Sequence, residues 1–229
     1  LKFGQIYIGT DDGNVQVTEN GGGSWSLVNK GLPNDKWVSS IYPSTHNSDV
    51  VYITLNGYRD DDFNTYVFRS NDKGKTWEPI KSNLPETVVN VIVQDPVNEN
   101  LLYLGTDLGT YISFDNGKKW NYVASIPNVS SYDMVVHPRD NELVVATHGR
   151  SIYVMNVKPL QQLNADNSVQ VFDAKDMYHS KRWGEKTYEY SEPREPNSEI
   201  FYYLNQANTV TVKVYKDDKL IRKDSFEGT

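Results

Sequence analysis

The sequence predicts an all-β fold, a partial β-propeller of about three and a half four-stranded blades, from a repeated motif and its surroundings. The pattern Ser/Thr-x-Asp/Asn-x-Gly-x-x-Trp occurs three times, at Thr18–Trp25, Ser70–Trp77 and Ser113–Trp120. Short alternating apolar strands flank each copy, and a composition of 16 Tyr, 5 Trp and 15 Gly favours strands and turns. A repeat of about 40 to 50 residues with four short strands is typical of a propeller blade.

Each copy of the pattern is predicted to form a turn between two antiparallel strands. A short side chain such as Asp72 can accept hydrogen bonds from the backbone N–H groups of its own turn. Gly74 supplies a backbone geometry that a β-carbon would resist, and Trp77 returns a large apolar ring to the sheet. We therefore expect a structural role for all the pattern residues: Thr18, Asn20, Gly22, Trp25, Ser70, Asp72, Gly74, Trp77, Ser113, Asp115, Gly117 and Trp120.

The remaining strands follow in a constant order. Two strands are predicted before each copy of the pattern: Ile6–Thr10 with Val15–Val17, Val51–Thr54 with Tyr66–Phe68, and Leu102–Thr106 with Tyr111–Ser113. Another strand opens each later unit: Trp37–Tyr42, Val88–Val93 and Tyr132–Val136. The first unit lacks this opening strand, and the fourth, Glu142–Val154, lacks a closing one. This favours the C-terminal part of a larger propeller over a four-bladed ring assembled from the first and last units.

The composition also excludes several classes of function. With 23 basic and 30 acidic side chains among 229 residues, the net charge of −7 argues against nucleic acid as a partner. The longest apolar run, Ile200–Leu204, is far shorter than the roughly 20 residues that cross a bilayer, so no membrane span is expected in this chain. The absence of cysteine removes disulfides, thiolate nucleophiles and cysteine-ligated zinc.

The repeated pattern resembles the Asp-box, or bacterial neuraminidase repeat, of sialidases, of xyloglucan-cleaving endo-glucanases and of sortilin-type ten-bladed propellers. The resemblance covers residues 1–157, and Ala146–Val154 looks like the last propeller strands of large secreted bacterial proteins of the sortilin-like group. It implies a sortilin-like or glycosyl-hydrolase-like protein that is secreted or displayed on a bacterial cell surface. In that group a β-sandwich follows the propeller.

The expected domains follow this order: propeller blades in residues 1–157, a linker in 158–170 and an incomplete immunoglobulin-like β-sandwich in 171–229. The C-terminal strands are predicted at Val169–Phe172, Glu199–Leu204, Val210–Tyr215 and Leu220–Lys223. A turn at Asp217 and Asp218 joins the last two strands into a hairpin. Trp183–Ser198 is predicted to be a long exposed loop.

Blade connectivity places the candidate ligand-binding residues at the end of the ring opposite the Asp-boxes. There the loops between second and third strands meet the links between blades. Carboxylates beside aromatic rings at a propeller mouth suit a sugar. The candidates at this end are Asp11, Asp12, Trp37, Arg59, Asp60, Asp61, Asp62, Tyr132, His148 and Arg150.

Three groups among these loops carry more specific hypotheses. Asp60–Asp62 offers oxygen ligands for Ca²⁺, against the alternative of an exposed acidic loop without an ion, and no other cofactor is expected. Asp107 and Asp133 are the candidate catalytic pair of a glycosidase, which needs two carboxyl groups about 5 Å or 6.5–9.5 Å apart. Arg150 stands where two other units carry glycine; it either holds a carboxylate of the ligand or closes the last blade against a neighbouring loop.

Sialidase activity is not expected for this chain. The resemblance to sialidases implies three arginines around the substrate carboxylate, and the propeller has Arg59, Arg69, Arg139 and Arg150. Arg69 and Arg139 are predicted at the Asp-box end, so the triad cannot form. The scattered histidines give no zinc site.

The expected function is therefore binding or scaffolding, in which the module recognises a glycan or a protein segment. Catalysis by the chain alone is not expected. One alternative is part of a glycoside hydrolase whose active site is completed by blades absent from this chain. Another alternative is a subunit or cleavage product of a larger surface assembly. In that case a partner, or the remainder of its own propeller, covers the unpaired edges of the first and fourth units.

Overall fold

The computed structural model describes residues 2–164, 167–173, 180–195 and 199–228. Their regular secondary structure is almost entirely β-strand, with one short α-helix, α1 (Lys158–Gln162), and one 3-10 helical turn at Tyr58–Asp60. The all-β prediction is thereby confirmed. The chain divides into two compact units, Leu1–Gln161 and Gln162–Thr229. None of the helices in the described ranges is long and apolar enough to span a membrane.

The first unit contains four consecutive antiparallel sheets, which we call blades 1 to 4. Blades 2 and 3 have four strands each, and blades 1 and 4 have three among the described residues. The strands are, in blade 1, β1 (Ile6–Gly9), β2 (Val15–Thr18) and β3 (Ser26–Leu27); in blade 2, β4 (Trp37–Pro43), β5 (Val51–Gly57), β6 (Asp62–Ser70) and β7 (Glu78–Pro79); in blade 3, β8 (Val89–Gln94), β9 (Leu102–Thr106), β10 (Gly109–Ser113) and β11 (Asn121–Tyr122); and in blade 4, β12 (Ser131–His137), β13 (Glu142–Thr147) and β14 (Ile152–Asn156). This arrangement confirms the predicted partial propeller.

The apolar core lies between the faces of neighbouring blades. β5 and β9 are buried along their whole length because another sheet covers each of their faces. Three buried clusters result, one at each interface. The clusters contain Val15, Val17, Ile53 and Leu55 between blades 1 and 2, Tyr52, Val89, Ile92 and Leu104 between blades 2 and 3, and Val91, Tyr103, Met134 and Leu143 between blades 3 and 4.

The Asp-box pattern folds into a turn held by its own side chains. In the second copy, Ser70 Oγ donates to Asp72 Oδ1 at 2.8 Å and accepts the Gly74 N–H at 2.7 Å. Asp72 Oδ1 also accepts the Thr76 N–H at 2.8 Å, and the Thr76 hydroxyl donates to Oδ2 at 2.6 Å. The Thr76 contact is the main cause that lowers the pKa of Asp72. Gly74 has φ +88°, a left-handed conformation that favours glycine.

The tryptophan that ends the pattern joins its blade to the preceding one. Trp77 Nε1 donates to the Val28 carbonyl, just after β3, at 2.7 Å. Trp120 Nε1 donates to the Ile80 carbonyl, just after β7, at 2.8 Å. Trp120 is only 2% exposed, whereas Trp25 in blade 1 is 38% exposed.

An ion pair fixes the longer loop between β5 and β6. The Lys36 ammonium lies 2.9 Å from the Asp62 carboxylate, which also accepts the Tyr66 hydroxyl at 2.8 Å. Lys36 is the main cause that holds the pKa of Asp62 well below its ordinary value. Asp61, by contrast, is exposed in a left-handed conformation with φ 56°, and no ion pair joins it to the described part of the chain.

Helix α1 occupies the start of the predicted linker. Its first N–H, from Lys158, donates to Asn156 Oδ1 at 3.0 Å, and Pro159 follows at a position where its missing N–H costs nothing. Gln161 Nε2 then donates to the buried carboxylate of Asp95 in blade 3, at 3.0 and 3.2 Å. The linker prediction missed this helix because it is only five residues long.

The second unit contains two separate two-stranded antiparallel sheets among its described residues. β15 (Val169–Val171) pairs with β16 (Tyr202–Leu204), and β17 (Asn208–Lys216) pairs with β18 (Lys219–Gly228). Asp217 and Asp218 both have positive φ, so the predicted hairpin turn is present. Closure of these sheets into a sandwich stays a prediction. Residues 196–198, at the end of the predicted loop, lie outside the described residues.

We expect Trp120→Phe to destabilise the first unit. The substitution leaves the Ile80 carbonyl without its donor at a buried position, which costs about 1 to 3 kcal/mol. The measurement is urea unfolding followed by far-ultraviolet circular dichroism. Trp25→Phe is the matched control, because Trp25 is partly exposed and its indole N–H meets no acceptor among the described residues; we expect a change below about 0.5 kcal/mol. Equal losses in both variants would contradict the inter-blade role.

Replacing Asp62 should produce a pH-dependent loss of stability. At pH 7, Asp62→Asn should lower the free energy of unfolding by about 1 to 3 kcal/mol through its lost charged hydrogen bonds. Since the folded pKa is lowered, this contribution is complete above the unfolded pKa of about 4 and disappears as pH falls towards the folded pKa. Unfolding at pH 7 and pH 3 should therefore give a smaller difference at pH 3. The control Asp61→Asn should be neutral at both values, and a pH-independent loss would exclude the ion pair as its cause.

Candidate functional site

A cavity opens at the end of the first unit opposite the Asp-boxes. Its volume is about 480 Å³. Blades 2, 3 and 4 all contribute to its wall, which contains Asn56, Tyr58, Asn90, Asp107, Ser130, Tyr132 and His148. The topology therefore gathers the predicted Tyr132 and His148 around one space, together with Asp107.

β-Bulges place part of this wall. The inner strands β4, β8 and β12 each have one extra residue at the equivalent position, namely Ser39, Asn90 and Tyr132. A bulge leaves its extra residue outside the ladder and redirects its side chain. Ser39 Oγ donates to the Val89 carbonyl at 2.9 Å, and Asn90 Nδ2 lies 3.3 Å from the Ser131 carbonyl. Bulge residues thus link neighbouring inner strands, and two of them face the cavity.

Asp107 is held in place by two neighbours. Its Oδ1 accepts the Asn90 amide at 2.9 Å and the Ser130 hydroxyl at 2.7 Å. Its backbone N–H donates to the Val88 carbonyl at 3.0 Å, which ties the loop between β9 and β10 to blade 3's inner strand. The second carboxylate oxygen accepts no hydrogen bond from the described residues. Asp107 therefore presents one oriented, unoccupied acceptor to the cavity.

Two buried amides in the wall have unpaired atoms. Asn90 is 6% exposed; its nitrogen is used by Asp107 and Ser131, and no described donor reaches its Oδ1. Asn56 is 4% exposed; its Oδ1 accepts the Tyr58 N–H at 3.0 Å, and its Nδ2 has no acceptor within the described ranges. Neither atom is fully buried, so both can reach solvent in the cavity and are available to bond a ligand.

Aromatic rings form the exposed part of the site. Tyr58 and Tyr132 are both exposed, and the Tyr132 ring lies 6.0 Å from the His148 ring. Beside the cavity, the Arg59 guanidinium lies 4.8 Å from the centre of the Trp37 ring and 5.9 Å from that of Tyr58. The hydrogen bond with Tyr58 raises the pKa of Arg59 above its ordinary value.

Other predicted acidic ligands are placed elsewhere or used locally. Asp62 is committed to Lys36, and the Asp12 carboxylate bonds with Thr10 and with the Asn14 amide. The remaining loop acids, Asp11, Asp60 and Asp61, are exposed and do not line the cavity. No group of three or more His, Asp or Glu side chains within the described ranges is arranged to hold a metal ion.

The candidate catalytic pair is not assembled around the cavity. Asp133 is exposed, accepts the Met134 N–H at 2.8 Å and does not belong to the described cavity wall. Asp107 is the one carboxylate that the described wall contains. Arg150 is exposed on the loop after β13, and it makes no hydrogen bond or ion pair with the described residues.

Sequence reasoning did not select Asn56, Tyr58, Asn90 or Ser130. Asn90 left a signal, because it is the polar residue inside the apolar run Val88–Val93. A polar residue in a buried strand marks either a bulge or a site. Asn56 ends a buried strand in the same way, whereas Ser130 gave no signal in a loop of small polar residues.

Comparisons with known proteins identify relatives for most of the chain. The family model Sortilin-Vps10, described as "Sortilin, neurotensin receptor 3", matches residues 65–227. A xyloglucanase from Paenibacillus sp. is 30% identical over 142 residues, which are 56% of this chain and 14% of that protein. Xyloglucanase Xgh74A from Acetivibrio thermocellus is 34% identical over 106 residues, which are 42% of this chain and 13% of that one. The chain thus spans about one-seventh of these relatives.

Solved structures share the fold. A GH74 xyloglucanase from Xanthomonas campestris gives a TM-score of 0.52 at 16% identity, over 66% of this chain and 27% of its own. The GH74 enzyme from Niastella koreensis gives 0.51 at 15% identity, over 66% and 26%. These similarities support the propeller arrangement of the blades. Since the family model extends over well more than half of the sequence, the chain belongs to the Sortilin-Vps10 family.

Proposed function

We propose that this chain is a glycan-binding module of a secreted or surface-displayed bacterial protein, and that the glycan binds in the cavity opposite the Asp-boxes. The observation that carries the proposal is the pair of buried amides, Asn56 and Asn90, whose unpaired atoms lie in a wall shared with exposed aromatic rings. Such a combination of a few fixed polar groups with rings is typical of a small-molecule site.

The unpaired groups match the hydrogen-bonding of sugar hydroxyls. A hydroxyl both donates and accepts, so one sugar residue can donate to Asn90 Oδ1 and to the free oxygen of Asp107 while it accepts from Asn56 Nδ2. Tyr58 and Tyr132 offer ring faces against which the C–H face of a sugar packs. A volume of about 480 Å³ lies within the usual range for ligand sites and has room for a short glycan segment.

Xyloglucan is the first ligand to examine, because the partial relatives are xyloglucanases. A linear glucan with side-chain sugars also suits a cavity that is open and bordered by further rings at Trp37 and Tyr58. The negative net charge of −7 disfavours a polyanionic glycan and leaves a neutral one unaffected.

A glycoside hydrolase is the second candidate, favoured by the same relatives. Glycoside hydrolysis needs two carboxyl groups across the scissile bond, and the described cavity wall supplies Asp107 alone. Under this alternative, Asp107 is one member of the pair, and the other comes from residues outside the present chain.

Substitutions in the wall should weaken binding of xyloglucan oligosaccharides. We expect Asp107→Asn and Tyr132→Ala each to raise the dissociation constant at least about tenfold, because one loses a charged hydrogen bond and the other a stacking face. Isothermal titration calorimetry measures both. Asp133→Asn is the matched control, since Asp133 is an exposed carboxylate near the site that lies off its wall; its affinity should equal that of the unmodified chain.

Two outcomes would count against the proposal. If the chain binds neither xyloglucan nor other neutral β-glucans, the proposed glycan site is contradicted. If the Asp107→Asn and Asp133→Asn variants bind the glycan with equal affinity, the glycan binds somewhere other than this cavity. Release of reducing sugar ends by the chain, lost in Asp107→Asn, would instead establish the hydrolase alternative.

A further inference from the structure

We propose a second binding site, at the Asp-box end between blades 2 and 3, for a single neutral sugar residue or a polyol of similar size. A cavity of about 230 Å³ lies there, separate from the one described above. Its wall includes Ser44, His46, Tyr52, Arg69, Gln94 and Glu99. These residues come from the turn after β4, from the end of β8 and the turn that follows it, from the buried strand β5 and from the end of β6.

Gln94 provides the evidence that something binds there. It is 2% exposed, and its Oε1 is the one buried side-chain polar atom in the described part of the chain that has no partner. Its Nε2 donates to the Glu99 carbonyl at 2.8 Å and lies 3.3 Å from the Tyr52 hydroxyl. Tyr52 in turn donates to Asn116, so it accepts from Gln94, and the amide orientation is fixed. An unsatisfied buried acceptor costs about 1 to 3 kcal/mol, which a donor that reaches Oε1 from the cavity would recover.

Neighbouring groups have both free donors and free acceptors. His46 Nε2 lies 2.8 Å from the Asp95 carbonyl, which only accepts, so in the neutral ring the other nitrogen is an acceptor. Ser44 Oγ accepts the N–H groups of His46 and Asn47, each at 3.1 Å, so its own hydrogen is free to donate. Hydroxyl groups match such a mixed set, because each hydroxyl can donate and accept.

The charges in the wall favour a neutral ligand. Arg69 donates through Nε and Nη2 to Asn71 Oδ1, at 2.9 and 2.7 Å, which leaves Nη1 available. Glu99 is exposed, and its carboxylate forms no ion pair with the described residues. An anion would meet Glu99 and the Gln94 acceptor, and a cation would meet Arg69. A polyhydroxyl ligand can accept a hydrogen bond from Arg69 and donate one to Glu99, and it carries no charge that either side chain would repel.

The volume limits the ligand to one ring. It is below the usual lower bound of about 300 Å³ for drug-sized ligands. It is also several times the roughly 30 Å³ that one water occupies in the liquid, so the cavity has room for a ring as well as for water. Together, size, charge and donor pattern indicate a pentose or hexose residue, or a comparable polyol.

The test uses D-xylose with the complete chain. Calorimetric titration should show saturable binding, and a crystal structure of the complex should place a sugar hydroxyl within hydrogen-bonding distance of Gln94 Oε1. Gln94→Met and Glu99→Ala should each weaken the affinity two- to tenfold, as expected for one lost hydrogen bond. The Glu99→Ala variant keeps the backbone carbonyl to which Gln94 donates, and Glu99 is an exposed residue. This variant therefore tests the site even if the Gln94→Met variant does not fold. Asp133→Asn should leave the affinity unchanged.

Several results would overturn the second site. In the crystal structure, a single water bound to Gln94 in the presence of xylose would do so, as would xylose bound only in the other cavity. In the titration, an affinity for xylose that Glu99→Ala leaves unchanged would also do so. Sugar density in crystals without saturable binding in solution, that is, binding at crystal concentration only, would also overturn it. Since the two cavities lie at opposite ends of the unit, the crystal structure distinguishes failure here from failure of the proposed glycan site.

Discussion

The hydrogen bond from an Asp-box indole to the carbonyl of the preceding blade is the interaction on which the first unit depends. Trp77 and Trp120 each place a large ring between two sheets and use the ring nitrogen to satisfy a carbonyl at the end of the earlier blade's outer strand. Each hydrogen bond fixes one point of contact between neighbouring sheets. The cavity at the other end of the unit is built from three blades, so its shape depends on how those blades pack against one another.

Strand positions could be predicted from the sequence because they depend on local information. Alternating apolar residues, Asp or Asn in the turns and glycine at positive φ act within a few residues of one another, and the turn at Asp217 and Asp218 shows how short that range is. Helix α1 escaped prediction because it is only five residues long and one of its contacts joins Gln161 to Asp95, a residue far away in the sequence. The same limit applies to Arg59, whose position over Trp37 depends on the folding of the whole loop.

The site was predictable at the level of topology and not at the level of single side chains. Strand order alone placed Asp107, Tyr132 and His148 at one end of the unit, and the structure gathers them there. The pairing of Asp107 with Asp133 stays a prediction, and of the two only Asp107 lines the described cavity wall. Tyr132 is the extra residue of a bulge, and Asp133 returns to the ladder opposite Ala146, so the alternation that the sequence suggests is shifted by one. A bulge is a property of two strands together, which one strand's sequence does not contain.

The three equivalent bulges also bear on how a protein of this kind acquires new ligands. Ser39, Asn90 and Tyr132 occupy the same position in successive blades yet differ in size and chemistry: a hydroxyl, an amide and an exposed aromatic ring. On either side of each, the ladder continues undisturbed. A substitution there changes the chemistry of the ligand-facing end, while the ladder pairing within the blade does not use the substituted residue. Repeated blades therefore offer a set of independently variable positions, and recognition can diverge between related proteins faster than the fold that supports it.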